Sequence, residues 1–354
     1  FTSVVFHSIA SMGVVSLSFR IITYSQLVTD IGYKFDRMQT LLAAVVSGII
    51  FGIHPLHVES VAWVSERKDV LSGFLYIFSV IFYLKYAEDI KTFHGAHRRS
   101  YLLDKWYLLS LVSFLFALLS KPMAVSLPMV LLLLDIFPLC RLNKLTWRAV
   151  CIEKIPFFFL SFEIALTTIL AQRAEGIKTL VEFPFLWRVI NSFHSLIVYI
   201  VKFIYPAGLS PFYPFPDSKS LFSSEYTFTV VAAAAVTAIA VILFRKGRTA
   251  PLIVWMYYII TLSPVLDMVK VGTHAFADRY MYLPSIGFCL MSGIVVSRFF
   301  AAGNTKKRSF RAVSIILLGV IIMSLIFIGM RWCQVLTIDI MTTPLLFLPH
   351  GSSA

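Results

Sequence analysis

The sequence predicts an all-α fold, a polytopic bundle of transmembrane helices. Three observations carry this. Of 354 residues, 58% are apolar and only 14% are charged, with a mean hydropathy of +0.84, where soluble domains carry about 25% charged residues. Apolar runs such as 106–120, 226–244 and 313–330 approach or reach the ~20 residues that cross a ~30 Å hydrocarbon layer. These runs lack the alternation of barrel strands, and in lipid every backbone amide must be paired within the chain, so they are read as helices.

Taken in order, the apolar runs between polar breaks place about ten spans near 3–23, 38–53, 70–87, 106–120, 122–140, 153–172, 226–244, 250–266, 284–302 and 311–330. An eleventh segment, 188–205, is different. It repeats Arg188, Asn191, Ser195, Tyr199 and Lys202 every three to four residues, which draws one polar stripe along a helix. Such a helix prefers an interface or a polar cavity.

If 188–205 does not cross, one face collects Lys34, Arg37, Lys85, Lys91, Arg98, Arg99, Lys105, Arg141, Lys144, Arg148, Lys154, Arg245, Lys246, Arg248, Arg298, Lys306, Lys307, Arg308 and Arg311. The positive-inside rule makes that face the cytoplasm. If the segment crosses, the last two basic clusters fall opposite the first, so the non-crossing reading is favoured; a re-entrant or broken helix serves equally well. The outer face then receives the loops 54–69, 173–225 and 267–284 and the turn Ser120-Lys121-Pro122. The domain reading is a transmembrane core over 1–334 followed by a short tail, 335–354. No internal repeat and no soluble domain of useful size is read.

The net charge of +13 is therefore assigned to membrane topology, and no nucleic-acid partner is expected. Cys140, Cys151, Cys289 and Cys333 show no CxxC spacing and support neither a disulfide frame nor a zinc site. Position 1 is Phe and the first span begins almost at once, so truncation at the start is expected. The sequence has no Gly-rich phosphate loop, GxSxG elbow or HExxH, which argues against an ATPase, a serine hydrolase or a zincin.

The stretch 54–69 holds His54, His57, Glu59, Glu66, Arg67 and Asp69 between two spans, an expensive set unless it faces water, a substrate or itself. If it is helical after Pro55, Glu59, Ala62, Glu66 and Asp69 share a face and Arg67 lies beside Trp63. A carboxylate there can orient a hydroxyl and Arg67 can hold a phosphate. The same residues also suit a helix start at the membrane surface with local ion pairs. A metal site of His54, His57 and Glu59 matches no strong spacing signature.

Lys121, between Ser120 and Pro122, either snorkels from a span end or projects into a cavity to meet a lipid phosphate. Asp135, deep in an apolar run, needs a partner. In 272–284, Asp278 and Arg279 are adjacent; a surface ion pair there is worth little, whereas the Arg279 fork suits a phosphate. The proline-stiffened loop 211–217, with Tyr213, is either an interfacial aromatic anchor or a platform for a sugar or peptide.

Four segments together resemble one family: HPLHVESVAWVSERKDVLSG at 54–73, SKPMAVSLPMVLLLLDIFPL at 120–139, the stretch 188–216 ending in FYPFP, and HAFADRYMYLPSIG at 274–287. They are similar to the membrane domain of the transmembrane and tetratricopeptide-repeat O-mannosyltransferases, in a bacterial-like wording. The resemblance implies a GT-C glycosyltransferase fold. It also implies a polyprenyl-phosphate-linked, mannose-like sugar as donor, a hydroxyl acceptor on a protein Ser/Thr or a glycan, and inversion on the non-cytoplasmic face. It assigns Glu59, Asp69 and Asp278 to catalysis. It assigns His54, His57, Arg67, Lys121, Tyr213, His274 and Arg279 to substrate binding, with no metal ligand and no cofactor beyond the donor lipid; the need for a divalent ion stays open.

The expected partners are membrane lipids, the donor and the acceptor, in a bacterial inner membrane, or the endoplasmic reticulum if the chain is eukaryotic. Family members begin with an earlier span and an acidic outer loop and continue into tetratricopeptide repeats, so truncation at both ends is expected. The alternatives are a transporter or lipid flippase, whose inverted repeats are not seen, and an inactive scaffold fragment.

Overall fold

Asp36 and Asp104 show how local chemistry sets the helix boundaries. The Asp36 carboxylate accepts from the Gln39 amide at 2.7 Å, and the Gln39 side chain accepts from the Asp36 amide at 3.1 Å, a reciprocal cap that opens α2, Arg37–Ile53. Asp104 accepts from Trp106 and Tyr107 at 2.8 and 3.1 Å and opens α5, Lys105–Ser120. Both helices stop at the residue before a proline, His54 and Lys121, whose backbones are extended because the following proline ring disfavours the helical region.

The structure, a computed structural model, describes residues 1–28, 34–92, 103–142, 146–174, 185–210, 213–214, 223–266, 274–302, 319 and 322–335. Its other helices are α1 Thr2–Val28, α3 Val58–Ala62, α4 Arg67–Thr92, α6 Leu127–Ile136, α7 Trp147–Ala174, α8 Phe185–Ile204, α9 Ser224–Arg245, α10 Ala250–Leu262 and α11 Ser285–Ala302, then α12 Ile322–Val335. Short 3-10 turns occupy Pro55–His57, Val64–Glu66, Pro122–Ser126, Ser263–Val265 and Asp278–Met281. The one pairing of strands among the described residues, β1 Tyr213–Pro214 with β2 His274–Phe276, is antiparallel, with Tyr213 opposite Phe276. The tail beyond 335, the stretches 175–184, 211–212, 215–222 and 267–273, and most of 311–321 lie outside the described residues.

The fold is all-α, as the sequence predicts. Among the described residues, three helical stretches are long and apolar enough to cross a membrane: Thr2–Gln26, Val64–Ile90 and Ser224–Arg245. Arg37–Ile53 with Pro55–Ala62, bent by 51°, makes a fourth if the pair is one span. Shorter apolar helices of 10–17 residues include Lys105–Ser120, Pro122–Ile136 and Ala250–Val265; Pro122 separates the first two and Pro264 falls in the 3-10 turn that ends the third.

What faces outward agrees with an apolar surrounding. On α7, Ile155, Phe159, Phe162, Leu166 and Leu170 are exposed along one face at helical spacing. On α8 the expected polar stripe points inward: Arg188, Asn191, Ser195, Tyr199 and Lys202 are buried, while Leu186, Phe193, Val201 and Ile204 are exposed. His194 meets Thr229 of α9 at 3.1 Å, and the Tyr199 hydroxyl donates to the Ala277 carbonyl at 3.0 Å. The stripe thus faces protein, not solvent. This helix is not among the three long apolar ones.

The core gathers α1, α2, α4, α5 and α11 around Phe51, Tyr76, Tyr83 and Phe114. A smaller core under α8, α9 and α10 holds Leu196, Tyr199, Trp255 and Tyr258. Gly293 lets α11 approach α2 closely, because a Cβ there would run into the Ala43 carbonyl and the Ser47 hydroxyl. Asp135 finds the partners it needs: Lys154 at 2.6 Å and Arg141 at 3.2 Å, with Arg141 also 2.9 Å from Glu153. Tyr83 donates to Asp135 at 2.7 Å. This neutral set of two acids and two bases joins α4, α6 and α7.

Candidate functional site

The polar residues of 54–69, the Lys121 turn and the 3-10 turn Asp278–Met281 meet at one end of α4. The chain leaves α2 at His54 and reaches α4 through a 3-10 turn, α3 and a second 3-10 turn, so the single helix considered for 55–69 does not form. Pro55 and the extended Trp63 at the end of α3 break it. The result turns Glu59, Glu66 and Asp69 inward and leaves Ala62 and Arg67 exposed.

Glu59 is fully buried and holds Arg279 twice. Its Oε1 is 2.5 Å from the Arg279 guanidinium, and its Oε2 accepts from the Arg279 backbone amide at 2.9 Å. Arg279 Nε is also 3.7 Å from Glu66, and its guanidinium lies 5.8 Å from the Trp63 ring and 5.2 Å from the Tyr280 ring. Lys121 pairs with Asp69 at 2.5 Å and stands 5.4 Å from the same Tyr280 ring. Ser60 is 3.5 Å from Asp69 Oδ2. Two cations therefore lie near one aromatic ring, each paired with a buried carboxylate.

Asp278 forms the third acid–base group. Its Oδ2 accepts from the Ser210 amide at 2.9 Å and lies 2.9 Å from the Tyr213 hydroxyl. Lys202 donates to that hydroxyl at 2.6 Å and to the Gly208 carbonyl at 2.9 Å, and its Nζ is 4.0 Å from Asp278 Oδ1. Oδ1 accepts no hydrogen bond among the described residues. The β1–β2 pairing holds this arrangement by stacking Tyr213 on Phe276, with ring centroids 4.3 Å apart. Burial pushes the Asp278 carboxyl up to about 6, against Lys202, Tyr213 and the Ser210 amide, which favour the anion.

No family model, no curated protein and no solved structure matches this chain. Its site is read from geometry.

His54 and His57 sit inside the packing with both ring nitrogens engaged. His57 meets the Phe51 carbonyl at 2.7 Å and Ser285 at 2.9 Å. His54 meets the Phe203 carbonyl at 3.0 Å, accepts from the Leu56 amide at 3.3 Å, and stacks on Phe203. With their nitrogens so used they position the turn after α2, and among the described residues no three His, Cys, Asp or Glu side chains are grouped to hold a metal. Arg67, exposed on the first turn of α4, is not in the Glu59–Arg279 group. The side chain of His274 lies outside the described residues. The structure thus brings Glu59, Asp69, Lys121, Tyr213, Asp278 and Arg279 to one end of the bundle.

Lys202, Tyr280, Ser60 and Ser210 belong to the group and are not among the residues singled out for a site in the sequence. Lys202 had a signal, as the last member of the α8 stripe. Tyr280 had none, because an aromatic beside Arg279 is ordinary until Lys121 is placed near the same ring.

Proposed function

We propose that this chain is the membrane core of an inverting glycosyltransferase of GT-C type. It moves a mannose-like sugar from a polyprenyl-phosphate carrier to a hydroxyl of a protein or glycan, on the non-cytoplasmic face of its membrane. The observation that carries the reading is the pair of cations, Lys121 and Arg279, at 5.4 and 5.2 Å from one Tyr280 ring, beside the half-satisfied carboxylate of Asp278. A lipid phosphate is an anion attached to an apolar chain, and Lys121 and Arg279, each already paired with a buried carboxylate, have further N–H donors to offer it.

In this reading the acceptor hydroxyl gives its proton to Asp278 Oδ1 as its oxygen bonds the anomeric carbon from the face opposite the phosphate. The bond from that carbon to the phosphate oxygen breaks, and the electron pair leaves on polyprenyl phosphate, held by Lys121 and Arg279. A single displacement inverts the carbon. Glu59 and Asp69 act by positioning the two cations. Tyr213 orders Asp278 and presents a ring face to the acceptor or sugar.

The test uses the protein reconstituted in vesicles with a polyprenyl-phosphate sugar and a hydroxyl acceptor. Release of polyprenyl phosphate is expected, with at least a hundredfold loss in Arg279→Ala and in Asp278→Asn, in line with the ~10²–10⁴ supplied by a positioned acid–base group. Equal release from both variants and the parent would remove the assignment.

A further inference from the structure

A cleft of about 990 Å³ opens between α1, α4, α6, α10 and α11, at the upper end of the ~300–1,000 Å³ found for small-molecule sites. Its walls are apolar, with Leu17, Ile77, Val130, Leu134, Ile253 and Leu290 among them. It is long. Ile286 and Arg298 both line it, twelve residues apart on α11, which is about 18 Å at ~1.5 Å per residue.

The charged side chains on this lining, among the described residues, are Arg248 and Arg298, with no carboxylate. Both are exposed and both fall in the basic clusters that the positive-inside rule assigns to the cytoplasmic face. That end is opposite the Glu59–Arg279 group. Arg298 lies 5.7 Å from the Phe35 ring, and the hydroxyl of its neighbour Ser297 donates to the Gln39 carbonyl at 2.8 Å. Arg248 is fixed by the turn that ends α9: Gly247 adopts φ +80°, and the amides of Gly247 and Arg248 donate to Phe244 and Leu243 at 2.9 Å each. Thr249, Ala250 and Pro251 line the same mouth. Thr249 makes no side-chain cap there, so the positive end of α10 adds to the arginines.

A long apolar slot with a cationic mouth at headgroup level complements a molecule with apolar chains and a phosphate at one end. We propose that this cleft binds one anionic glycerophospholipid of the cytoplasmic leaflet, its chains along α11 and its phosphate between Arg248 and Arg298. The assignment rests on the membrane placement of the chain and is independent of the transfer reaction.

The test is native mass spectrometry of the purified, delipidated chain titrated with phosphatidylglycerol or phosphatidylcholine. The parent is expected to retain phosphatidylglycerol preferentially. R248Q/R298Q is expected to lose roughly 30-fold of that preference, and because both arginines are exposed the double variant should fold. R298K, which keeps the charge, is expected to keep the preference. Met291→Trp, which fills the slot, is expected to weaken both lipids alike. Equal retention of the two lipids by the parent, or an unchanged preference in R248Q/R298Q, overturns the proposal. So does competition by glycerol phosphate as strong as by the intact lipid, which would mark a free-anion site. Displacement by a long isoprenyl phosphate at equal concentration would assign the cleft to the donor instead and overturn it as well.

Discussion

At the residue scale, the proposed site rests on buried Glu59 and half-buried Arg279, joined at 2.5 and 2.9 Å. Removing one charge leaves the other without compensation in an apolar frame, which costs about 3–5 kcal/mol. Glu59→Gln is therefore expected to lower the unfolding temperature in detergent. Adding Arg279→Gln to it is expected to recover part of the loss, and additive losses would show that the two do not act as a pair. Asp278 offers a pH readout. Its carboxyl in the folded chain sits at about 6, above the ~3.9 of an unfolded aspartate. The native state therefore binds the proton more tightly, and this contribution to stability is complete below about pH 4 and is lost as pH rises through about 6. Turnover that needs the anion moves the other way and rises across the same window. Thermal unfolding and turnover measured from about pH 4 to 8 are expected to show both trends in the parent, and in Asp278→Asn a smaller fall in stability and no rise in turnover.

At the scale of elements, two contacts hold the helices that carry the site. Gly293 of α11 lies against the Ala43 carbonyl of α2, and backbone cannot yield as a flexible side chain can. Gly293→Ala is expected to separate these helices and cost about 1–3 kcal/mol, read as a lower unfolding temperature; an unchanged temperature would mean that α2 and α11 are further apart. The Asp135, Lys154, Arg141 and Glu153 set joins α4, α6 and α7 far from the Glu59–Arg279 group. From Asp69 to Tyr83 along α4 is fourteen residues, about 21 Å. Lys154→Met is expected to reduce the yield of folded protein, because Asp135 is completely buried, while the Glu59–Arg279 group, at the other end of α4, keeps its geometry. A Lys154→Met chain as stable as the parent would place Asp135 in contact with water.

At the scale of the molecule, the arrangement predicts sidedness. In a cysteine-free background, Ser65→Cys and Arg67→Cys, both exposed near the start of α4, should react with an impermeant thiol reagent from the outer face, and Arg245→Cys from the cytoplasm. Labelling of all three from one side would remove the topology on which the transfer reading depends.

Much of this was legible in the sequence, and the limits have physical causes. The apolar runs, the prolines that end them and the capping aspartates act within a turn or two of chain, so composition and spacing reveal them. The inventory of scarce ionic groups was equally plain, because any charge in so apolar a chain is costly. Their pairing was not legible. Glu59 meets Arg279 across 220 residues, and Asp278 meets Tyr213 across 65, distances over which no local preference acts. The sequence also left open which way the α8 stripe points, since a polar face can turn to water or to protein. Packing against α9 and the Ala277 backbone turned it inward, and that placed Lys202 beside Asp278. The sequence determined by itself that this is a helical, apolar chain whose scarce polar groups gather in a few loops and along one helical stripe. The tertiary structure decided which of those groups touch, because the energy of an ion pair depends on separation and burial, and both are set only when the helices assemble.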